Sequence, residues 1–270
     1  MSSATAASAT DTGVRAYAGF FAASFRKRLL LLVRYPVNTI STLGALVMVF
    51  VIIFYGGKAV APAAISDTIE GIIVGYFLWT MALSAYQGLS WNVTREAQWG
   101  TLEQLFMSPF GFGRVMLAKT VVNLLESFLW GSVTLAAMLL VTGRSLSIDP
   151  LTLVPLGILA LAPAVGVGFL LGGLAIRFKR IENVFEIVQY LFVGFIAAPI
   201  GTYPLLKWLP LAQGSQLLQR AMNDGVALWN LPAGELGVLV ATAVGYLAIG
   251  FVAFTYCQRW ARREGVMGHY

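Results

Sequence analysis

Five stretches of this chain run for 20 residues or more without a single charged side chain: 35–57, 71–94, 150–176, 187–206 and 236–258. That length matters because a helix needs about 20 mainly apolar residues to cross roughly 30 Å of hydrocarbon at 1.5 Å per residue. A sixth apolar stretch, 115–142, is interrupted by Lys119 and Glu126. The runs are continuously apolar and lack the period-two alternation of barrel strands, so the spanning element is helix. The expected fold is an all-α polytopic membrane protein with six transmembrane helices, at 37–56, 71–92, 115–142, 151–176, 184–203 and 236–258.

Composition supports a bilayer as the solvent. Only 11% of the 270 residues are charged and 58% are hydrophobic, whereas a soluble domain carries about 25% charged residues to coat its surface. The lone Cys257 and lone His269 exclude an intramolecular disulfide framework and a cysteine-based zinc site. They also exclude a Ser/His/Asp or Cys/His catalytic arrangement, and no cofactor is expected on this chain. Residues 1–13 are rich in Ser, Ala and Thr with no apolar core, which reads as a disordered N-terminus rather than a secretory signal.

The positions of the cations set the orientation. With the N-terminus cytoplasmic, one side receives Arg15, Arg26, Lys27, Arg28, Arg34, Arg95, Arg114, Lys119, Arg177, Lys179, Arg180, Arg259, Arg262 and Arg263. The other side receives Lys58, Arg144, Lys207 and Arg220. The split of 14 against 4 places both termini in the cytoplasm and makes six spans the right parity. It also explains the net charge of +6 without nucleic acid as a partner.

Ahead of the first span, residues 14–35 carry Tyr17, Phe21, Phe25, Leu29 and Leu32 at helical spacing, with Arg26, Lys27 and Arg34 away from them. This reads as an amphipathic interfacial helix in the membrane plane, or as a basic juxtamembrane segment held by anionic lipid. Arg28 falls inside the apolar stripe and must snorkel to fit. Pro36 disfavours helix at Tyr35 and so provides an elbow.

The loop between the second and third spans, 93–114, is the most informative stretch. Thr101 and Gln104 have the form of a capping box, Gly100 permits a sharp change of direction, and Pro109 suits a stop near Met107. The expected product is a short helix outside the bilayer with Leu102, Leu105 and Phe106 on one side. A helix that short is marginal alone, and its apolar residues call for a covering surface on another protein.

Glu96, then Gly100-Thr101-Leu102-Glu103 with Leu105, then Ser108-Pro109, resembles the signature of the ABC-2 type permeases, the membrane subunits of ATP-binding-cassette exporters. The resemblance covers most of the chain. It implies that the short helix is a coupling helix docked on a separate cytoplasmic ABC ATPase, with two ATPases and two permeases in a homodimeric or paired assembly. ATP and Mg would act in that partner, making this chain a transporter subunit and not an enzyme. Glu96 and Glu103 would touch the ATPase or the in-plane helix; alone, they read as solvated carboxylates. The family places spans 1, 2 and 5 around the pathway and closes its outer end with a re-entrant segment, here 204–232. Similar permeases often carry an Asn-Pro turn there, whereas this chain has Gln213-Gly214-Ser215. Residues 259–270 form a cytoplasmic tail, and the location implied is the cell membrane.

Substrate is less legible. A hydrophobic drug or lipid is the first expectation, a polysaccharide or lipid-linked glycan the second, and a membrane scaffold the non-transport alternative. Pathway candidates are Tyr76, Trp79, Tyr86 and Gln87 on span 2, although core packing or an interfacial belt accounts for the aromatics equally well. Glu126, the only acid well within a span, pairs with a basic group, lines the path or relays a proton; steadying helix packing is the plainer role. Gly166, Gly168, Gly172 and Gly173 point to close helix contact. Gly113 to Thr120 imitates a phosphate-binding loop, but Ala118 replaces its second glycine and the segment runs straight into a span.

Overall fold

The computed structural model describes residues 19, 21–98, 112–178 and 181–263, with the backbone alone at 63–67, 89, 95–98, 112, 114, 182 and 262. Every regular element among the described residues is helical. We number the helices α1 (21–34), α2 (Pro36–Val60), α3 (Pro62–Gln98), α4 (Phe112–Thr142), α5 (Pro150–Phe178), α6 (Glu182–Ile196), α7 (Ala212–Asn223) and α8 (Ala233–Arg263), with 3-10 turns at Pro204–Trp208 and Leu228–Asn230. Five of them, α2, α3, α4, α5 and α8, are long and apolar enough to cross a membrane.

Proline sets several of the boundaries. Pro36, Pro62 and Pro150 each open a helix, where the missing N–H is no loss. Pro36 also breaks α1 from α2 at Tyr35, as expected, and the Thr39 hydroxyl donates back across the break to the Leu32 carbonyl (2.9 Å).

The core is built around α5, which packs most extensively on α8 and then on α3. Small residues make this possible. A Cβ on Gly250 of α8 would land on the carbonyl of Gly166 in α5, and one on Gly168 would meet the Tyr86 carbonyl at 3.1 Å. The helices touch backbone to backbone, the packing expected from the glycine stripe. In a bilayer, close approach of this kind replaces the hydrophobic driving force available in water.

The same contacts fix direction. Gly166 and Gly173 of α5 meet Tyr246 and Phe254 of α8 in that order, so the two helices run parallel. The chain between them must therefore return from the end of α5 to the start of α8. The sequence assigns that return to one helix at 184–203. The structure corrects this: α6 stops at Ile196, after 15 residues, because Pro199, Gly201 and Pro204 follow in quick succession. The remainder is a turn, a 3-10 turn, and then α7 inserted into the bundle.

α7 lies within the stretch 204–232 and packs against the bundle. Its residues Gln213, Ser215, Leu217, Leu218 and Met222 are buried against α5 and α3. It is entered through Leu211, a buried residue with φ of 68°, the left-handed region that costs a non-glycine residue about 1–2 kcal/mol. At the far end of the bundle, the Ser147 amide donates to the Met222 carbonyl (2.8 Å) and the Leu228 amide to the Thr152 hydroxyl (3.1 Å). Ion pairs Arg144–Glu70 (3.6 Å) and Arg220–Glu235 (2.7 Å) lie at the same end.

Candidate functional site

Two charges that fit poorly in the sequence turn out to be partners. Arg28 sits within the apolar stripe of α1, and Glu126 lies near the middle of α4. In the structure the Arg28 Nε donates to Glu126 Oε2 at 2.5 Å. The Glu126 side chain is 10% exposed, and its Oε1 accepts from Trp130 Nε1 at 3.3 Å, one helical turn on. The structure pairs Glu126 with a basic group, so its depth is compensated by a full opposite charge.

The placement of Arg28 follows from how α1 lies. Phe21, Phe25 and Leu32 are half-buried along with Arg28, while Arg26, Lys27 and Arg34 are exposed. Phe21, Phe25, Arg28 and Leu32 thus share the inward face, whereas Leu29, expected in the same stripe, is 40% exposed and Tyr17 lies outside the described residues.

Around the ion pair lies a cavity of about 540 Å³ between α1, α2, α3 and α4. Its walls mix Leu31, Leu46 and Trp130 with Asn38, Ser84 and Gln87. Gln87 donates through Nε2 to Gln189 Oε1 of α6 (3.2 Å), which ties this wall to the short helix. The volume falls within the range of ordinary ligand sites, roughly 300–1,000 Å³, and the mix of apolar walls with a few polar groups is theirs too. Two sequence-singled residues, Gln87 and Glu126, are therefore neighbours in one cavity. Asn38, Thr39, Thr42 and Ser84 were missed as lining residues. Their signal was the one-turn spacing of Asn38 and Thr42, which puts polar groups on a single face of the first span.

The aromatics of the second span lie elsewhere. Tyr76 is buried and its hydroxyl donates to the Leu46 carbonyl of α2 at 2.6 Å. Trp79 Nε1 donates to the Gln189 carbonyl (3.2 Å), and the fully buried Tyr86 hydroxyl to the Phe185 carbonyl (2.5 Å), both on α6. These three side chains stitch α3 to α2 and α6 and do not line the cavity around Glu126. Edge-to-face contacts of Tyr86 with Phe192 and of Trp91 with Phe185 extend the seam.

Of the coupling residues, Gly100, Thr101, Leu102, Glu103, Leu105 and Phe106 lie outside the described residues. Glu96 is in the last turns of α3, where the backbone alone is described. Residues 113–120, the imitation of a phosphate loop, are helical throughout within α4, leaving no loop there to wrap a phosphate.

The model of a protein family described as the ABC-2 family transporter protein matches residues 58–252, from the end of α2 through most of α8. No curated protein and no solved structure matches the chain. With some 195 of 270 residues matched, including three of the five long apolar helices among the described residues and most of a fourth, the chain belongs to the ABC-2 transporter family and is a multi-pass membrane permease subunit of an ABC transporter.

Proposed function

We propose that this chain is the membrane half of an exporter that moves a hydrophobic drug or lipid out of the cytoplasm, driven by ATP hydrolysed on a separate subunit. Family membership over 58–252 carries the reading. Two copies of the permease pair with two copies of the ATPase in the cell membrane, and both termini are cytoplasmic. The uneven distribution of cations between the two ends supports that orientation. Six crossings result if α6 and the broken segment to α7 count as the fifth, which agrees with the parallel run of α5 and α8.

The work of this subunit is mechanical. The segment 101–107 receives movement from the ATPase through Leu102, Leu105 and Phe106, with Glu96 and Glu103 as further contacts. The hydrogen bonds from Tyr76, Trp79 and Tyr86 then carry movement between α3, α2 and α6, because each bonds to the main chain of the helix it meets. α2 faces the second copy. Its outward row of Val37, Ile40, Met48, Ile52 and Tyr55 is exposed in the single chain, with Gly44 in the row for close approach.

Co-expression with the ATP-binding subunit tests the reading. A stable complex should form, and Glu103→Lys or Leu105→Asp should weaken both association and permease-stimulated hydrolysis by about tenfold, the loss expected for one buried contact. Association and hydrolysis unchanged in both variants would remove the coupling role.

A further inference from the structure

We propose that the cavity beside the Arg28–Glu126 pair binds the headgroup of a zwitterionic phospholipid, one bearing a phosphate and a primary ammonium. This rests on reading the chain as a lipid-moving permease, and it names the substrate class. The argument begins with unused bonding capacity. Arg28 meets Glu126 through Nε, so among the described residues the terminal Nη groups of a five-donor guanidinium stay available, and its side chain is 40% exposed where it lines the cavity. Among the described residues each Glu126 oxygen accepts one bond, from Arg28 or from Trp130, and each retains a second lone pair. Gln87 spends its amide N–H on Gln189 and keeps its carbonyl oxygen for a donor.

The vacant positions are thus donors at Arg28 and acceptors at Glu126 and Gln87, side by side. A phosphate is matched to the guanidinium fork and an ammonium to the carboxylate. The ion pair itself carries no net charge, so a ligand with both signs adds to it without leaving any charge uncompensated. A purely anionic headgroup meets Arg28 but is repelled by Glu126, and a purely cationic ligand meets the reverse. At 10% exposure around Glu126, screening by water is weak, and this repulsion is felt. Leu31, Leu46 and Trp130 supply an apolar wall for the start of the acyl chains.

Native mass spectrometry of the full chain, purified without its ATPase and stripped of lipid, tests this directly. Dioleoyl phosphatidylethanolamine should be retained about tenfold better than dioleoyl phosphatidylglycerol, the ratio that one charge-assisted contact supplies. Removing one partner strands a charge, so the decisive variant is Arg28→Gln with Glu126→Gln, which neutralises both together. That variant should keep its thermal midpoint and lose the preference. Equal retention of the two lipids by the unsubstituted chain, or an intact preference in the double variant, overturns the proposal. Glycerophosphoethanolamine at equal concentration separates lipid from free headgroup: weak retention supports a lipid site, and retention equal to that of the lipid overturns it. Because no ATPase is present, failure here leaves the coupling test untouched.

Discussion

α2 and α5 are almost equally apolar, with mean hydropathy of 2.3 and 2.2 over their best windows, yet 6% of the α2 window is buried and 61% of the α5 window. A hydropathy profile cannot tell them apart. What differs is the distribution of small residues: Gly157, Gly166, Gly168, Gly172 and Gly173 of α5 all lie against neighbouring helices, whereas nothing lies within 4 Å of a Cβ built on Gly44 or Gly56 of α2. In lipid, apolar surface gains nothing by leaving its surroundings, so burial follows shape and close backbone approach. α5 is a core helix because other helices can reach its main chain. α2 keeps one face exposed in the single chain.

The largest effect expected from this contrast is at the α5–α8 contact. Gly250→Val drives a side chain into the Gly166 carbonyl, which is main chain in the middle of a packed helix and cannot step aside. The loss should exceed about 3 kcal/mol, the upper end for overpacked cores, and show as collapse of the monodisperse peak on heating in detergent. Gly44→Val on α2 should change protomer stability by no more than about 0.5 kcal/mol, as ordinary surface substitutions do. If the two variants melt alike, the assignment of core and periphery is wrong.

Much of this arrangement was legible beforehand, and the exceptions have a common cause. The third and fourth spans, read as 115–142 and 151–176, are Phe112–Thr142 and Pro150–Phe178. Hydropathy finds such helices because their apolar runs and their backbone end together. It fails at 184–203, where side chains remain apolar beyond Ile196 while Pro199, Gly201 and Pro204 have already ended the helix. The site shows the same limit in another form. Arg28 and Glu126 each stood out as a charge where none belonged, but they are 98 residues apart, and nothing local says that one answers the other. Likewise Tyr76, Trp79 and Tyr86 were visible as a group, while the carbonyls that take their hydrogen bonds depend on where α2 and α6 come to rest.

A smaller effect sharpens the contrast within one helix. α6 turns Phe185 and Phe192 inward and leaves Tyr190 69% exposed. Tyr86→Phe on α3 removes the hydroxyl that reaches the Phe185 carbonyl, at a cost of about 1 kcal/mol, a typical net value for one hydrogen bond. Tyr190→Phe should cost nothing measurable. A guanidinium-free thermal shift series on both variants reads the difference as a few degrees for the first and none for the second. Equal shifts would mean that the seam between α3 and α6 is looser than the bond to Phe185 suggests.

The smallest effect on stability is expected on α2 itself, and there the informative readout is proximity. Met48, Ile52 and Tyr55 lie one turn apart on the exposed side, while Phe50 points inward and is fully buried. Single cysteines at 48, 50, 52 and 55, each with Cys257→Ser, should leave the melting point unchanged at 48, 52 and 55. If a second copy covers this face, a short thiol crosslinker captures dimers at those three positions and none at 50, giving a profile with the helical period. Lipid on the same face would leave capture at 48, 52 and 55 weak and falling as the membrane is diluted with added lipid, because random encounters depend on concentration and the contacts of a dimer do not. Capture that persists on dilution would explain why a helix as apolar as α5 is left uncovered in the single chain: its packing partner is another molecule, and Gly44 is kept for that contact.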